Sequence, residues 1–142
     1  MRYLRLISLL LLLPATLPAA DSADLAEYRS RVMEGAQRHL RAASSIVNDG
    51  VELPAHLAEH ARALQAFSRM IPEMFPPGSH GTGSDAKPEI WQRWEEFTGL
   101  AQRLGKNAEV LEETAADTRR RKQAYTDVLE TCRACHREFR KQ

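Results

Sequence analysis

The spacing of apolar residues constrains the fold of this chain more than any other feature. Apolar residues recur at every third or fourth position along four segments, residues 25–47, 57–67, 94–115 and 121–139. This spacing places them on one face of a helix, whereas a strand requires alternation at every second position. Such stripes pack helices at shallow angles, so the sequence predicts an all-α protein, an antiparallel four-helix bundle.

The composition agrees with a helical fold. Hydrophobic residues make up 43% of the 142 residues, enough for one core, while aromatic residues account for only 6%. Residues with high strand propensity are sparse, which argues against a sandwich or barrel. The formal net charge of +1 is too balanced for a general nucleic-acid binder.

Local signals set the expected helix boundaries. A capping box of Asp24 and Glu27 is expected at the start of the first helix. Pro54 should begin the second, which Pro72 ends, and residues 72–88 contain four prolines and three glycines, which predicts a long ordered loop. The fourth helix should start near Asp117. Trp94 and Phe97 of the third helix are expected in the core.

Residues 1–20 have the layout of a secretory signal peptide. A basic start is followed by an apolar run and a small-residue stretch ending at Ala20, with Ala19 and Ala23 as alternative cleavage points. The apolar run is too short to span a bilayer, and no cysteine near the cut supports a lipid anchor. We therefore expect an exported, periplasmic protein whose single domain comprises residues 21–142.

One motif near the C-terminus carries specific chemistry. Cys132-Arg133-Ala134-Cys135-His136 reads C-x-x-C-H, which is typical of c-type haem attachment. On a helix both thiols lie on one face, where they can reach two vinyl groups on one edge of a porphyrin, and His136 can bind the iron. One covalent haem c is the expected cofactor.

Other interpretations of the two cysteines are weaker. A disulfide would close a very short loop, a thioredoxin-like pair requires a βαβ context, and a zinc site lacks a clearly placed fourth ligand. A non-haem helical stress or metal-binding protein remains as an alternative from another class.

Two further patterns resemble catalytic motifs. His56-Leu57-Ala58-Glu59-His60 spells the H-x-x-E-H of inverted zinc peptidases, but a solvated helix face is favoured because a four-helix chain offers little room for a substrate cleft. The glycines at 81 and 83, with Ala86, imitate a dinucleotide fingerprint without the strand that it requires. Neither pattern predicts an enzyme.

Taken together, the bundle and the C-terminal motif resemble the class II c-type cytochromes, the cytochrome c′ family. The matching segments are Tyr28-Arg29-x-x-x-Met33 with His39, Phe75-Pro76-Pro77-Gly78 followed by Asp85-Ala86-Lys87-Pro88-Glu89-Ile90-Trp91, and Thr131-Cys132-Arg133-Ala134-Cys135-His136-Arg137-Glu138-Phe139-Arg140. Their order along the chain makes the resemblance specific.

The resemblance implies a haem between the helices, with His136 as its proximal ligand. It also implies that Met33 covers the distal face of the iron and that Arg29 meets a haem propionate. Ser30 and Asp85 match positions that approach the haem, and Arg140 matches a basic residue over the proximal imidazole. Ser30 departs from the glutamine that is common at its position.

The role of Met33 decides between two coordination states of the iron. If the sulfur only packs over the iron, the haem is five-coordinate and high-spin and admits gases such as nitric oxide or carbon monoxide. If Met33 is the sixth ligand, the haem is a low-spin His–Met electron carrier. The loop at residues 85–91 resembles the cytochrome c′ version, and this resemblance implies the five-coordinate form, in an electron-transfer protein. The His–Met carrier is the alternative, as is a gas sink or sensor.

The partners follow from charge and from the resemblance. Basic residues around the motif suggest an acidic redox partner protein. They are Arg133, Arg137, Arg140 and Lys141. The resemblance further implies a homodimer through the first two helices.

Overall fold

The computed structural model describes residues 22–80 and 83–142, so the expected signal peptide lies outside the described residues. Four long helices form the bundle, with one short helix and one 3-10 turn between the second and third long helices. They are α1 (Ser22–Asn48), α2 (Pro54–Met70), the 3-10 turn Pro72–Met74, α3 (Glu89–Gln92), α4 (Trp94–Glu113) and α5 (Thr118–Phe139).

The long helices pack in a ring, in which α1 contacts α2 and α5, while α4 also contacts α2 and α5. Short connections join α1 to α2 and α4 to α5, as expected of antiparallel neighbours. Within the two described ranges the only β-type pairing is an isolated bridge between Ala86 and Arg140. The predicted all-α four-helix bundle is confirmed.

The structure confirms the predicted starts of two helices and contradicts the predicted cap of a third. Pro54 is the first residue of α2, and Asp117 caps α5 by accepting hydrogen bonds from the amides of Arg119 and Arg120 at 3.0 and 2.9 Å. Asp24 lies inside the first turn of α1, not at its cap, so the capping-box prediction was wrong. An acidic residue in that turn still interacts favourably with the helix dipole.

The segment between α2 and α4 is more regular than predicted. It contains the 3-10 turn and α3, and Trp91 ties it together by donating from Nε1 to the carbonyl oxygens of Phe75 and Pro76 at 3.1 and 3.0 Å. The third long helix ends at Glu113, so Ala115 lies in the turn that follows.

The core contains the expected apolar stripes, with Leu57, Leu64, Leu111 and Val128 fully buried, and Ile90 of α3, which lies outside those stripes, is buried with them. Burying each large aliphatic side chain contributes about 1.5–3 kcal/mol to stability. Phe97 is buried as predicted, but Trp94, the first residue of α4, is 38% exposed, and its ring lies tilted at 36° to that of Phe97 with centroids 5.7 Å apart. The core prediction was wrong for Trp94.

The buried face at the start of α1 also differs from the one that the apolar spacing predicts. The first apolar stripe, residues 25–47, includes Tyr28, three positions after Leu25, but this side chain is 48% exposed, whereas its neighbour Arg29 is 4% exposed. The buried face here runs through Ala26, Arg29 and Val32. Of the described helices, none is sufficiently long and apolar to be a candidate membrane span.

Candidate functional site: a thiol pair and an imidazole on α5

Cys132, Cys135 and His136 lie near the C-terminal end of α5. Both cysteines are free, half-buried and packed against the hydrophobic core, while His136 is exposed. The spacing of three residues puts the two thiols on the same face of the helix. The motif therefore presents two reduced sulfur atoms toward the bundle and an imidazole at its open side.

Two contacts hold this part of α5 in place. Asn107 of α4 donates from Nδ2 to Oγ1 of Thr131 at 3.0 Å, immediately before the first cysteine. Phe139 is buried after the motif, where its ring meets that of Phe97 edge-on with centroids 5.4 Å apart. The motif thus lies between two fixed points on α5.

The loop before α3 is attached to the same end of α5. The amide of Lys87 donates to the carbonyl of Phe139 at 3.0 Å, and the amide of Lys141 donates to the carbonyl of Asp85 at 2.8 Å. The side chains of Arg140 and Asp85 approach to 3.4 Å. Two residues predicted from the resemblance, Asp85 and Arg140, are therefore brought together beside the motif.

Burial sets the protonation of the two thiols. Desolvation, with a smaller contribution from Cys132, raises the pKa of Cys135 to about 11, and desolvation also raises the pKa of Cys132. At neutral pH both are uncharged thiols. A neutral thioether suits such surroundings better than a thiolate does, because burial penalises the charged form.

The imidazole of His136 has a lowered pKa, first because of desolvation on its inner side and second because of the positive charge of Arg140. Both effects favour the neutral ring. A neutral imidazole nitrogen is the form that binds a metal ion.

Arg29 of α1 is buried against the segment that follows α2. Its Nη1 donates to the carbonyl of Met74 at 3.1 Å and to Oγ of Ser79 at 2.9 Å, while Nη2 donates to the carbonyl of Ser79 at 2.7 Å and to Oγ of Ser84 at 3.0 Å. The guanidinium also lies 4.8 Å from the ring centroid of Phe75. We call these hydrogen-bond partners the Arg29 cage.

Every acceptor in the Arg29 cage is neutral, and burial lowers the pKa of the guanidinium. A buried cation without a carboxylate among its hydrogen-bond partners in the described residues is suited to an external anion. The cage, the half-buried thiols and the exposed imidazole have the chemistry that a haem requires, because its propionates are anions and its ring is apolar.

Met33 and Ser30 occupy different positions on α1. Met33, four residues after Arg29, is half-buried and packed against the core, whereas Ser30 is exposed. Residues four apart share a helix face, which places Met33 beside Arg29. Ser79 and Ser84, which satisfy Arg29, were not identified from the sequence, where only the serine- and glycine-rich composition of the loop hinted at them.

The basic residues around the motif are exposed, but three of them have acidic neighbours. Arg133 pairs with Glu130 at 2.7 Å, Arg137 lies 3.8 Å from Glu138, and Arg140 pairs with Asp85. Their positive field is therefore partly neutralised.

The H-x-x-E-H segment lies on α2, and the described part of the chain contains no group of three His, Cys, Asp or Glu side chains that could hold a metal ion. His56 and Glu59 are exposed, as expected of a solvated face, but His60 is half-buried and contacts His39 of α1. The solvated-face prediction therefore holds for only part of the segment.

A helical bundle with a C-x-x-C-H motif on its last helix defines a c-type cytochrome, and comparison with known proteins identifies the group. A family model described as Cytochrome C' matches residues 24–140. The cytochrome c′ of Pararhodospirillum photometricum is 33% identical over 117 residues, covering 80% of this chain and 94% of the relative. That of Rhodospirillum rubrum is 32% identical over 127 residues, covering 86% and 85%.

Solved structures agree. The nitric oxide complex of a variant of cytochrome c prime from Alcaligenes xylosoxidans superposes with a TM-score of 0.79 at 26% identity, over 88% of this chain and 99% of the other. A carbon monoxide-bound variant of the same protein gives a TM-score of 0.79, again at 26% identity, over 88% and 100%. The chain belongs to the cytochrome c′ family, and its cofactor is a covalently attached haem c.

Proposed function

We propose that Cys132 and Cys135 attach the haem and that His136 is the axial ligand of its iron. The observation that carries this proposal is the pair of half-buried, reduced thiols on one face of α5, with the imidazole beside them at the open side. Each thiol adds across a vinyl group, so that a carbon–sulfur bond forms and the thiol hydrogen goes to the other vinyl carbon. The products are two uncharged thioethers.

When bound, haem c supplies one iron that changes between the ferric and ferrous states and accepts axial ligands. The protein contributes a covalent anchor, an apolar environment and a fixed imidazole. Its role is binding and electron transfer, not enzymatic catalysis.

The remaining predicted residues act from α1 and from the end of α5. Arg29 meets a propionate by exchanging one of its serine contacts in the Arg29 cage for the anion. Met33 covers the distal side of the iron. Asp85 and Arg140 form a pair beside the imidazole of His136, and the exposed Ser30 approaches the haem from α1.

We propose a five-coordinate, high-spin iron that binds small uncharged gases such as nitric oxide and carbon monoxide. Support comes from the Alcaligenes xylosoxidans relative, variants of which have been solved with each of these gases. An apolar cover such as Met33 admits uncharged gases more readily than anions, because a buried anion pays a desolvation penalty.

A low-spin His–Met electron carrier is the second candidate. The observation that favours it is the half-buried thioether of Met33, one helical turn from Arg29 on the same face of α1. A methionine ligand would raise the reduction potential and close the site to gases. A gas sink or sensor would use the five-coordinate site and differ only in its ligand affinity.

We propose that residues 1–20 direct export and that residues 21–142 act in the periplasm. We propose an acidic redox partner docking beside the motif, although the ion pairs of Arg133, Arg137 and Arg140 predict a weak dependence of this docking on ionic strength. We also propose a homodimer that forms through α1 and α2, and sedimentation in analytical ultracentrifugation should give the mass of two chains.

Visible spectra of the oxidised and reduced protein test the iron's coordination. A broad, split Soret band in the reduced form, with carbon monoxide binding, supports the five-coordinate proposal. A sharp low-spin α band would contradict it. Met33→Ala should leave a five-coordinate spectrum in place, and Met70→Ala, which also removes a half-buried methionine, is the matched control.

A further inference from the structure

The pair of histidines between α1 and α2 is not used by the haem chemistry. His39 of α1 and His60 of α2 are half-buried, and their Nδ1 atoms are 3.1 Å apart. Their ring centroids lie 5.2 Å apart at an interplanar angle of 70°, and Phe67 packs against His39 at 5.8 Å. Both rings are therefore held in place with one nitrogen of each directed at the same small space.

We propose that His39 and His60 form a binding site for a divalent transition-metal ion, zinc in the first instance, that joins α1 to α2. Zinc binds imidazole nitrogens at about 2.0–2.1 Å, and two such bonds with the observed nitrogen separation enclose an angle of about 100° at the metal. This angle lies between the values for octahedral and tetrahedral coordination, so the rings need little movement to bind both.

The chemistry of the gap supports a metal ion. Only one proton fits between two imidazole nitrogens in hydrogen-bond contact, because one ring must donate and the other must accept. A metal ion replaces that proton, which moves through solvent to Nε2 of the same ring, so that each Nδ1 offers a lone pair to the metal. Imidazole is a preferred ligand of Zn²⁺, Cu²⁺ and Ni²⁺.

The site offers two protein ligands. Within residues 22–80 and 83–142, no three side chains of histidine, cysteine, aspartate or glutamate form a group suited to holding a metal ion. Water therefore completes the coordination, and we expect an exchangeable site, unlike a closed structural one.

His56 provides the natural comparison. It lies one turn before His60 on α2 and is exposed, so a chelate of these two residues along a single helix is the competing arrangement. The structure favours the pair between helices because His60 contacts His39.

Isothermal titration of the haem-loaded protein with Zn²⁺ tests the proposal. We expect one zinc ion per chain and a higher melting temperature in its presence, because a ligand bound only by the folded state stabilises it. His39→Gln and His60→Gln should each weaken binding by roughly tenfold or more, since even indirect partners of a metal ligand contribute that much. His56→Gln and His80→Gln, the matched controls, should bind as the parent does.

Two results would overturn the proposal. One is an absence of zinc binding by the parent protein. The other is binding that survives His39→Gln and disappears in His56→Gln, which would place the site on α2 alone. Circular dichroism and the haem spectrum report whether each variant is folded, and if His60→Gln is not, His39→Gln with its two controls decides. Neither result depends on the coordination of the haem iron.

Discussion

The guanidinium of Arg29 contacts Ser79 twice, with Nη1 donating to the hydroxyl at 2.9 Å and Nη2 donating to the carbonyl oxygen at 2.7 Å. The two residues are separated by 50 positions in sequence. The contact therefore fixes the loop that follows α2 against α1, on the helix that also carries Met33. Arg29 is both a candidate haem contact and the anchor of this loop.

Replacing Arg29 with alanine should destabilise the protein by about 3 kcal/mol, because it removes the buried donors of the Arg29 cage. Arg29→Lys should recover only part of this loss, since one ammonium cannot span the same acceptors. Urea denaturation measures both. The control is Arg38→Ala, which removes an exposed arginine of α1 that pairs with Glu34 and should unfold nearly as the parent does. Equal stability of Arg29→Ala and the parent would refute the anchoring role.

Two glycines of α4 should respond differently to alanine. A Cβ at Gly105 would lie 2.7 Å from Oγ of Ser68 in α2, whereas a Cβ at Gly99 would have no atom within 4 Å. Gly99→Ala should therefore stabilise the protein by up to about 1 kcal/mol through helix propensity. Gly105→Ala should lose this gain, because Ser68 must rotate away from its bond to the carbonyl of Gln65.

Thermal denaturation of a double-mutant cycle checks the close approach of α2 and α4. Ser68→Ala should restore the stabilising effect of Gly105→Ala, because it removes the hydroxyl that the new methyl group meets. If Gly105→Ala stabilises the parent as strongly as Gly99→Ala does, the close approach is not a constraint.

Arg121 is a buried cation in the first turn of α5, whereas the cysteines lie near the other end of this helix. It is 3% exposed, and within residues 22–80 and 83–142 its Nε has no hydrogen-bond partner. Its Nη2 makes long contacts to Glu52 and to the carbonyl of Ile46, at 3.5 and 3.4 Å. Arg121→Met should be neutral or stabilising, because an apolar side chain of similar length avoids the desolvation penalty.

Arg121→Ala is the comparison for that variant, because it leaves a cavity and should cost about 2–4 kcal/mol. Guanidinium denaturation gives both values. A methionine variant as unstable as the alanine variant would show that the charge itself supports the fold.

Acid should weaken the contact between α1 and α2. Desolvation, followed by the charges of His39 and His56, lowers the pKa of His60 below 6.5. The unfolded chain then binds more protons than the folded one as the pH falls below 6.5, so the stability that is present above this value declines at lower pH.

Unfolding measured from neutral pH down to about pH 5 should show a shallower decline for His60→Gln than for the parent. His80→Gln, at an exposed histidine, is the control and should keep the parent's slope. An unchanged slope in His60→Gln would contradict the assignment of this effect to His60.

The sequence predicts most of the bundle because its information there is local. Apolar spacing, Pro54 and Asp117 place α2 and α5 correctly, since propensity and capping act within a few residues. Tyr28 and Arg29 show where this fails. The pattern selects the tyrosine for the core, but the arginine is buried because serines and carbonyls some fifty residues away accept its hydrogen bonds.

The site divides in the same way. The thiols and imidazole of α5 are recognisable because one helix supplies all three at a fixed spacing. The pairing of His39 with His60, and that of Asp85 with Arg140, depends on how separate elements meet, which no spacing along the chain encodes. Nothing in the sequence distinguishes Ser79 and Ser84 from other loop serines, because their role is to accept hydrogen bonds from Arg29 of a distant helix.

The most direct test of the central claim is the mass of the peptide that carries the motif. The protein should be produced with its export signal in a host that attaches haem c, and then cut after glutamates to release residues 131–138, which contain both cysteines and His136. We predict that this fragment has the mass of the bare peptide plus one haem, bound through two carbon–sulfur bonds that survive unfolding. A fragment with the mass of the unmodified peptide, from a colourless protein, would contradict the account.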